Sequence, residues 1–240
     1  MLLARTGWEA GGGPVNLPSV NLPVEPSAQA DTEAPRRSAR NRALVLAGIH
    51  RAAVMVFARE GYQGASTQAI AAAAGLSKQQ LHYYIDGKEE LYRAILQGIV
   101  DDWIGVFGFA DAHLGPRKVL SDYVRRKLMF SFEHPERSRI FTAEMMRGGA
   151  MLRPLMAHSH RRTQQAMDVI RGWMAQGRMT ASVDPLLLLF HIWAMTQHYA
   201  DYADQVRFFA GPDPAYTPER ERVIAEVTTL VLRGAGVVEA

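Results

Sequence analysis

The sequence predicts an all-α protein, a small N-terminal helix-turn-helix domain ahead of a larger C-terminal helical domain. Three observations predict it. Apolar residues recur at three- and four-residue steps along most of the chain, the period of one helix face. Glycines, prolines and capping residues punctuate those stretches. No segment sustains the period-two alternation of a half-buried strand. At 240 residues and 48% hydrophobic, the chain can bury a real core. It has no cysteine, which excludes disulfides, thiolate metal ligands and thiol nucleophiles.

Residues 1–35 hold five of the twelve prolines and the run Gly11-Gly12-Gly13. They read as a flexible tail, or as an extension upstream of the true start. Arg36, Arg37, Arg40 and Arg42 follow, either a solvated helix entrance or a phosphate-grasping arm. Over residues 42–60, Leu46, Ile49, Ala53, Val56 and Phe57 share one helix face, and Gly61 is a suitable stop. Ser66 or Thr67 caps a short helix over 68–74 that Gly75 ends. Ser77 is an N-cap, and Gln80 completes a capping box with it. Leu76 and Leu81 match a hydrophobic staple. A third helix therefore runs over 78–84. The turn Gly75-Leu76-Ser77 makes the pair a helix-turn-helix.

Asp86 and Glu89 launch a fourth helix over 88–109. Further helices are expected at 118–133, 136–146, 152–176, 185–209 and 218–232. The breakers between them are Gly115-Pro116, His134-Pro135, Gly148-Gly149, Gly177, and Gly211-Pro212 with Pro214. Asp184 caps the 185–209 helix and Pro185 occupies its first turn, where a missing N–H costs nothing.

The net charge of +3 is unevenly placed. Residues 1–35 carry one base and four acids. Residues 36–88 carry eight bases and two acids, and residues 89–240 balance 18 of each. The division is a tail (1–35), a basic module (36–88) suited to a polyanion, and a neutral domain (89–240). No apolar run reaches the ~18–20 residues of a membrane span, and the N-terminus does not read as a signal peptide. A soluble cytoplasmic protein without membrane contact is the expectation.

The stretch 66–91, STQAIAAAAGLSKQQLHYYIDGKEEL, resembles the N-terminal domain of TetR-family transcription regulators. The shared features are a capped second helix, Ala-Gly-Leu-Ser at the turn, an aromatic-rich third helix and the Lys-Glu-Glu-Leu opening of the fourth. His82 and Ile85 depart from the aromatic residues usual there. The resemblance implies a DNA-binding regulator, in most cases a repressor, that binds a pseudo-palindromic duplex operator. A recognition helix offers its N-terminal half to base edges. Lys78, Gln79, His82 and Tyr83 lie away from the Leu81 and Tyr84 side and are the candidate readers. Gln79 suits adenine, and Lys78 suits guanine or phosphate. Thr67 and Ser77 at the two helix starts, and Lys88 in the first turn of the fourth helix, are candidate backbone contacts. Arg40 and Arg42, with Arg36 and Arg37, could follow the backbone or reach the minor groove. Gln80 is occupied in the capping box, and Tyr84 and Ile85 belong to the core.

One such module covers one half-site, so the resemblance implies a homodimer. Its surface is expected on the last two long helices, through Leu186, Leu187, Leu189, Phe190, Val223, Val227 and Leu230, although a buried core gives the same pattern. The string Trp193-Ala194-Met195-Thr196-Gln197-His198-Tyr199-Ala200-Asp201 is similar to the pyrimidine-utilisation regulator (RutR-like) branch of the family. Further likeness lies in 123–146 and at Gly172-Trp173. That branch implies a uracil or thymine effector that loosens the operator complex. Trp193 and Gln197, four apart, share a helix face. An indole offers a stacking surface and a carboxamide can match an imide edge. Trp103 on the fourth helix could close the pocket. Lys127, Ser131, Thr196 and Tyr199 are weaker candidates.

The alternative effector is a lipophilic drug or acyl compound, for which eleven methionines suit an adaptable cavity. A helical enzyme acting on nucleobases is the remaining rival. His158-Ser159-His160 diverge on a helix and read as a solvated face, without metal-ligand spacing. His198 with Asp201 could form an acid–base pair, but a simple i,i+3 contact accounts for them. No cofactor or metal is expected.

Overall fold

The computed structural model describes residues 30–106, 109–210 and 219–238. All the regular elements there are helical. They are α1 (Ala30–Gly64), α2 (Thr67–Ala73), α3 (Lys78–Tyr84), α4 (Lys88–Val106), α5 (Gly115–Glu133), α6 (Pro135–Met146), α7 (Met156–Ala175), α8 (Pro185–Asp201), α9 (Ala203–Ala210) and α10 (Arg220–Gly234), with 3₁₀ turns at Phe109–Leu114 and Arg153–Leu155. Two units are distinguished, residues 1–42 and 43–240.

Several expected boundaries move. Residues 1–29 of the expected tail lie outside the described residues, but 30–35 are helical and α1 starts before Arg42. The fourth helix stops at Val106, and Phe109 opens a 3₁₀ turn. Gly115-Pro116 does not separate elements but starts α5, because proline is tolerated in a first helical turn. The 152–176 helix begins as a 3₁₀ turn. The 185–209 helix breaks at Tyr202, whose φ of −116° and ψ of 34° leave the helical region. The breakers at 211–214 lie outside the described residues.

The turn chemistry of the N-terminal segment follows the residues. Gly61 has φ of 67° and interrupts α1 before its last turn. Ser66, not Thr67, caps α2, its Oγ accepting from Ala69 N at 3.1 Å. Gly75 ends α2 with φ of 70°. Leu76 N then donates to Ala71 O at 2.9 Å and Gly75 N to Ala72 O at 3.1 Å, a Schellman closure. Ser77 Oγ accepts from Gln80 N at 3.1 Å, and Gln80 Oε1 accepts from Ser77 N at 2.8 Å. Ser77→Ala removes one half of that box and is expected to cost about 1 kcal/mol. Thermal unfolding should show a midpoint roughly 2–4 °C lower. An unchanged midpoint would mean that the box adds nothing.

Two cores result. The first packs Ile49, Val56 and Phe57 of α1 with Ile70, Leu81, Leu91, Tyr92 and Leu96, and continues into Ile140 and Phe141 of α6. The second surrounds α5, whose Leu120, Tyr123, Val124 and Leu128 meet Leu189 and Ile192 of α8 and Val227 and Val231 of α10. Residues 37–64 of α1 are apolar and long enough to cross a membrane by length and composition alone. Ile49, Ala53, Val56 and Phe57 of this stretch are buried in the first core.

Candidate functional sites: a DNA-reading surface and an effector cavity

Helix α3 presents two faces. Leu81 is fully buried, and Tyr84 and Ile85 pack half-buried against the first core. Lys78, Gln79, His82 and Tyr83 are exposed, Tyr83 at 73%. The Tyr83 ring packs edge-on against Tyr84, with centroids 5.2 Å apart. Ser77 and Gln80 are also exposed, but their polar groups serve the capping box. Thr67 is half-buried at the start of α2. Arg37, Arg40 and Arg42 are exposed on α1, and the Arg36 side chain lies outside the described residues.

Lys88 differs from its expected part as a phosphate contact. Its Nζ donates to the carbonyls of Tyr62 and Ala65, both at 3.0 Å. It also lies 4.6 Å from the Tyr62 ring centroid. Two of its three N–H donors are therefore spent joining the start of α4 to the α1–α2 junction. The carbonyls lie 26 and 23 residues back in the chain, so local spacing could not reveal the contact.

Trp103, Trp193 and Gln197 line one cavity of about 440 Å³ between α4, α5, α6, α7 and α8. Of the four weaker candidates, only Lys127 joins them. Ser131 is buried but does not line the cavity. Thr196 Oγ1 donates to the Ile192 and Trp193 carbonyls of its own helix. Tyr199 packs edge-on against Phe132.

The two tryptophans differ in chemistry. Trp193 Nε1 donates to Tyr123 Oη at 2.6 Å, so its indole offers a face rather than a donor. Trp103 Nε1 is buried with no hydrogen-bond partner among the described residues. Its ring lies 4.1 Å from the Phe141 ring centroid to centroid. Lys127 Nζ sits 4.3 Å above the Trp103 ring, and the residue is only 5% exposed. Among the described cavity-lining residues, Lys127 is the only lysine or arginine and none is an aspartate or glutamate.

Burial pulls the Lys127 pKa down from 10.5 to about 8, while the negative charge of Asp201 opposes the fall. Between those values the unfolded chain binds more protons, so stability rises with pH across that window. Below about 8 the folded protein carries the full penalty, roughly 3 kcal/mol at ~1.4 kcal/mol per pH unit. Lys127→Met is therefore expected to stabilise the ligand-free protein near pH 7 and to flatten its stability between pH 8 and 10. Denaturant unfolding at both ends of that range checks this, and equal pH slopes for the two proteins would refute it.

The sequence reading missed the α7 side of the cavity. Ser159, His160, Thr163 and Gln164 all line it. The His158-Ser159-His160 run is thus only partly a solvated face. The recurrence of polar residues at i and i+4 (159 with 163, 160 with 164) was the available signal. His198 and Asp201 likewise form no pair. The carboxylate of Asp201 accepts from Ser138 Oγ and Thr142 Oγ1, each at 2.7 Å, clamping α8 to α6, while His198 stacks on Tyr202.

Helix α4 runs from the helix-turn-helix to the cavity. Lys88 and Trp103 are fifteen residues apart, about 22 Å along the helix axis. It is tied to α6 at two levels. Tyr92 Oη donates to Glu144 Oε2 at 3.4 Å and accepts from Arg147 at 3.0 Å. Further along, Arg137 bridges to Asp102 at 2.7 Å. It passes so near Gly98 that a Cβ there would lie 3.2 Å from Nη2.

The sequence matches the family described as "Bacterial regulatory proteins, tetR family" over residues 49–95, and "YcdC-like protein, C-terminal region" over residues 96–238. The chain belongs to the TetR family of transcription regulators. It is 37% identical over 161 residues to the HTH-type transcriptional regulator RutR of Escherichia coli, covering 67% of this chain and 76% of that one. It is 28% identical over 181 residues to the HTH-type transcriptional repressor SCO4008 of Streptomyces coelicolor, covering 75% and 91%. Among solved structures, AibR in complex with isovaleryl coenzyme A and operator DNA shares the fold at a TM-score of 0.59 and 19% identity, covering 76% and 95%. As a TetR regulator the protein works by binding DNA rather than by catalysis.

Proposed function

We propose that the protein is a cytoplasmic homodimeric repressor that binds a pseudo-palindromic operator and leaves it when a pyrimidine such as uracil or thymine enters the cavity. One observation carries the effector reading: two indoles, a carboxamide and a single ammonium meet in one cavity that has no carboxylate among its described lining residues. Trp103 closes the cavity from α4, its ring face under the Lys127 ammonium. Lys127 adds an ammonium that makes no hydrogen bond there beyond its contact with the Trp103 ring. A pyrimidinedione supplies two carbonyl acceptors, and its imide N–H can donate to the Gln197 carboxamide. The Trp193 face supplies stacking. The identity to RutR over two thirds of the chain supports the same reading.

In this proposal residues 36–88 form the DNA-binding module and 89–240 the effector and dimer domain. Lys78, Gln79, His82 and Tyr83 meet base edges, and Thr67, Ser77, Arg40 and Arg42 meet the backbone. Leu189, Val223 and Val227 are consumed in the chain's own core, whereas Leu187, Phe190 and Leu230 are 52%, 45% and 62% exposed. Of these, Leu187 and Leu230 belong to the dimer surface, whereas Phe190 lines the effector cavity against Trp193. Effector contact at Trp103 tilts α4, and Lys88 carries the tilt to the α1–α2 junction and so to α3. A coupling of ~1–3 kcal/mol suffices to change operator affinity by roughly 5- to 150-fold.

Calorimetry with uracil, thymine and isovaleryl coenzyme A tests the effector. The pyrimidines should bind, and Trp103→Phe and Gln197→Leu should each weaken them by about tenfold or more. Binding of the acyl compound alone would overturn the reading.

A further inference from the structure

The cavity is larger than a free pyrimidine needs. At ~30 Å³ per water molecule, 440 Å³ corresponds to on the order of fifteen waters. A pyrimidinedione has eight or nine non-hydrogen atoms, each smaller than a water, so the base alone fills only about half of the space. The remainder is not uniformly apolar. Its α7 wall carries Ser159, His160, Thr163 and Gln164, whereas the Trp103 ring and the Lys127 ammonium come from α4 and α5. Ser159 and Thr163 are half-buried and His160 and Gln164 are exposed, so the polar wall runs inward from the mouth. Thr163 Oγ1 donates to the Ser159 carbonyl at 3.0 Å, which leaves the lone pairs of that hydroxyl for a ligand. Neither an arginine nor a second lysine stands among the described lining residues to match a phosphate.

We infer that the effector is a pyrimidine nucleoside. Its base sits between Trp103, Lys127, Trp193 and Gln197, and its sugar hydroxyls meet Ser159, Thr163, His160 and Gln164 of α7. The inference rests on the pyrimidine reading above and deepens it, because the base-binding end is the same. A sugar brings two or three hydroxyls, each able both to donate and to accept, which matches a wall of two hydroxyls, an imidazole and a carboxamide. A nucleotide is disfavoured, since a phosphate would enter a wall without a guanidinium or ammonium.

Titration calorimetry on the full chain with uracil, uridine, thymidine and uridine monophosphate tests this. Uridine or thymidine should bind roughly tenfold or more tightly than uracil, the gain from two further satisfied polar contacts. Ser159→Ala with Thr163→Val should reduce nucleoside affinity to that of the base and leave uracil binding unchanged, which also shows that the variant is folded. Gln164→Ala, at an exposed position, provides a second and milder variant with the same expected pattern. Uracil binding at least as tightly as uridine would overturn the inference and leave the pyrimidine reading standing. Failure of both base and nucleosides to bind would sink both. Uridine monophosphate binding more tightly than uridine, or nucleoside affinity indifferent to the α7 variants, would also overturn the assignment.

Discussion

Replacing Lys78 and Gln79 together by alanine should abolish sequence-specific DNA retention while leaving the fold intact. Both side chains are exposed on α3, opposite the buried Leu81. Surface residues of this kind contribute within about 0.5 kcal/mol to stability. Each well-formed contact to a base edge is worth ~1–3 kcal/mol of discrimination. A dimer doubles the loss, so operator affinity should fall by at least about a hundredfold at physiological salt. Non-specific binding should fall less, because the arginines of α1 remain to neutralise phosphates. Gel retardation of an operator fragment against a scrambled duplex measures the difference. Equal retention of both duplexes by the wild type and the variant would remove α3 from the recognition surface.

The second large effect is on stability. Glu144 is 5% exposed and takes three polar contacts: Arg147 at 3.2 Å, Tyr92 Oη at 3.4 Å and the backbone N–H of Met151 at 3.2 Å. Its removal leaves the Met151 amide and the Tyr92 hydroxyl short of an acceptor and takes the counter-charge from Arg147. Breaking a buried pair from one side costs ~3–5 kcal/mol, and the partial exposure of Arg147 lowers that to about 3 kcal/mol. Glu144→Ala is expected to lower the thermal midpoint by roughly 6–12 °C. Glu144→Gln keeps an acceptor for Met151 and should cost about half as much. If Glu144→Ala unfolded at the wild-type temperature, the α4–α6 tie would carry no energy. It could not then transmit movement between the cavity and the DNA-reading helices.

The parts of this design that were legible in the sequence are the local ones. The box between Ser77 and Gln80 and the stop at Gly75 each depend on residues within one or two turns. Their chemistry fixes their geometry, and the helix-turn-helix follows. Trp193 and Gln197 were legible as one surface because residues four apart share a helix face. Their convergence with Trp103, ninety residues earlier than Trp193, is a tertiary contact that spacing cannot show. Elsewhere the sequence misled for physical reasons. Tyr202 breaks the eighth helix without glycine or proline, so no punctuation marks it. Gly115-Pro116 can end one helix or begin another, since proline forbids a preceding hydrogen bond but not a following helix. The polar α7 wall looks like solvated surface because a cavity mouth and a water-facing helix take the same residues. The ties of Lys88 to Tyr62 and Tyr92 to Glu144 join elements far apart in the chain, and nothing in either segment announces its partner.

In the proposed mechanism, DNA grip is linked to cavity occupancy through α4. Linkage makes that coupling reciprocal: the factor by which ligand weakens the operator must equal the factor by which operator weakens the ligand. The decisive measurement is fluorescence anisotropy of a labelled operator at fixed salt, with and without saturating pyrimidine ligand, paired with calorimetry of the ligand on free and operator-bound protein. The same factor is expected from both sides, within about 5- to 150-fold. Operator affinity that stays constant while the cavity is demonstrably filled would contradict it.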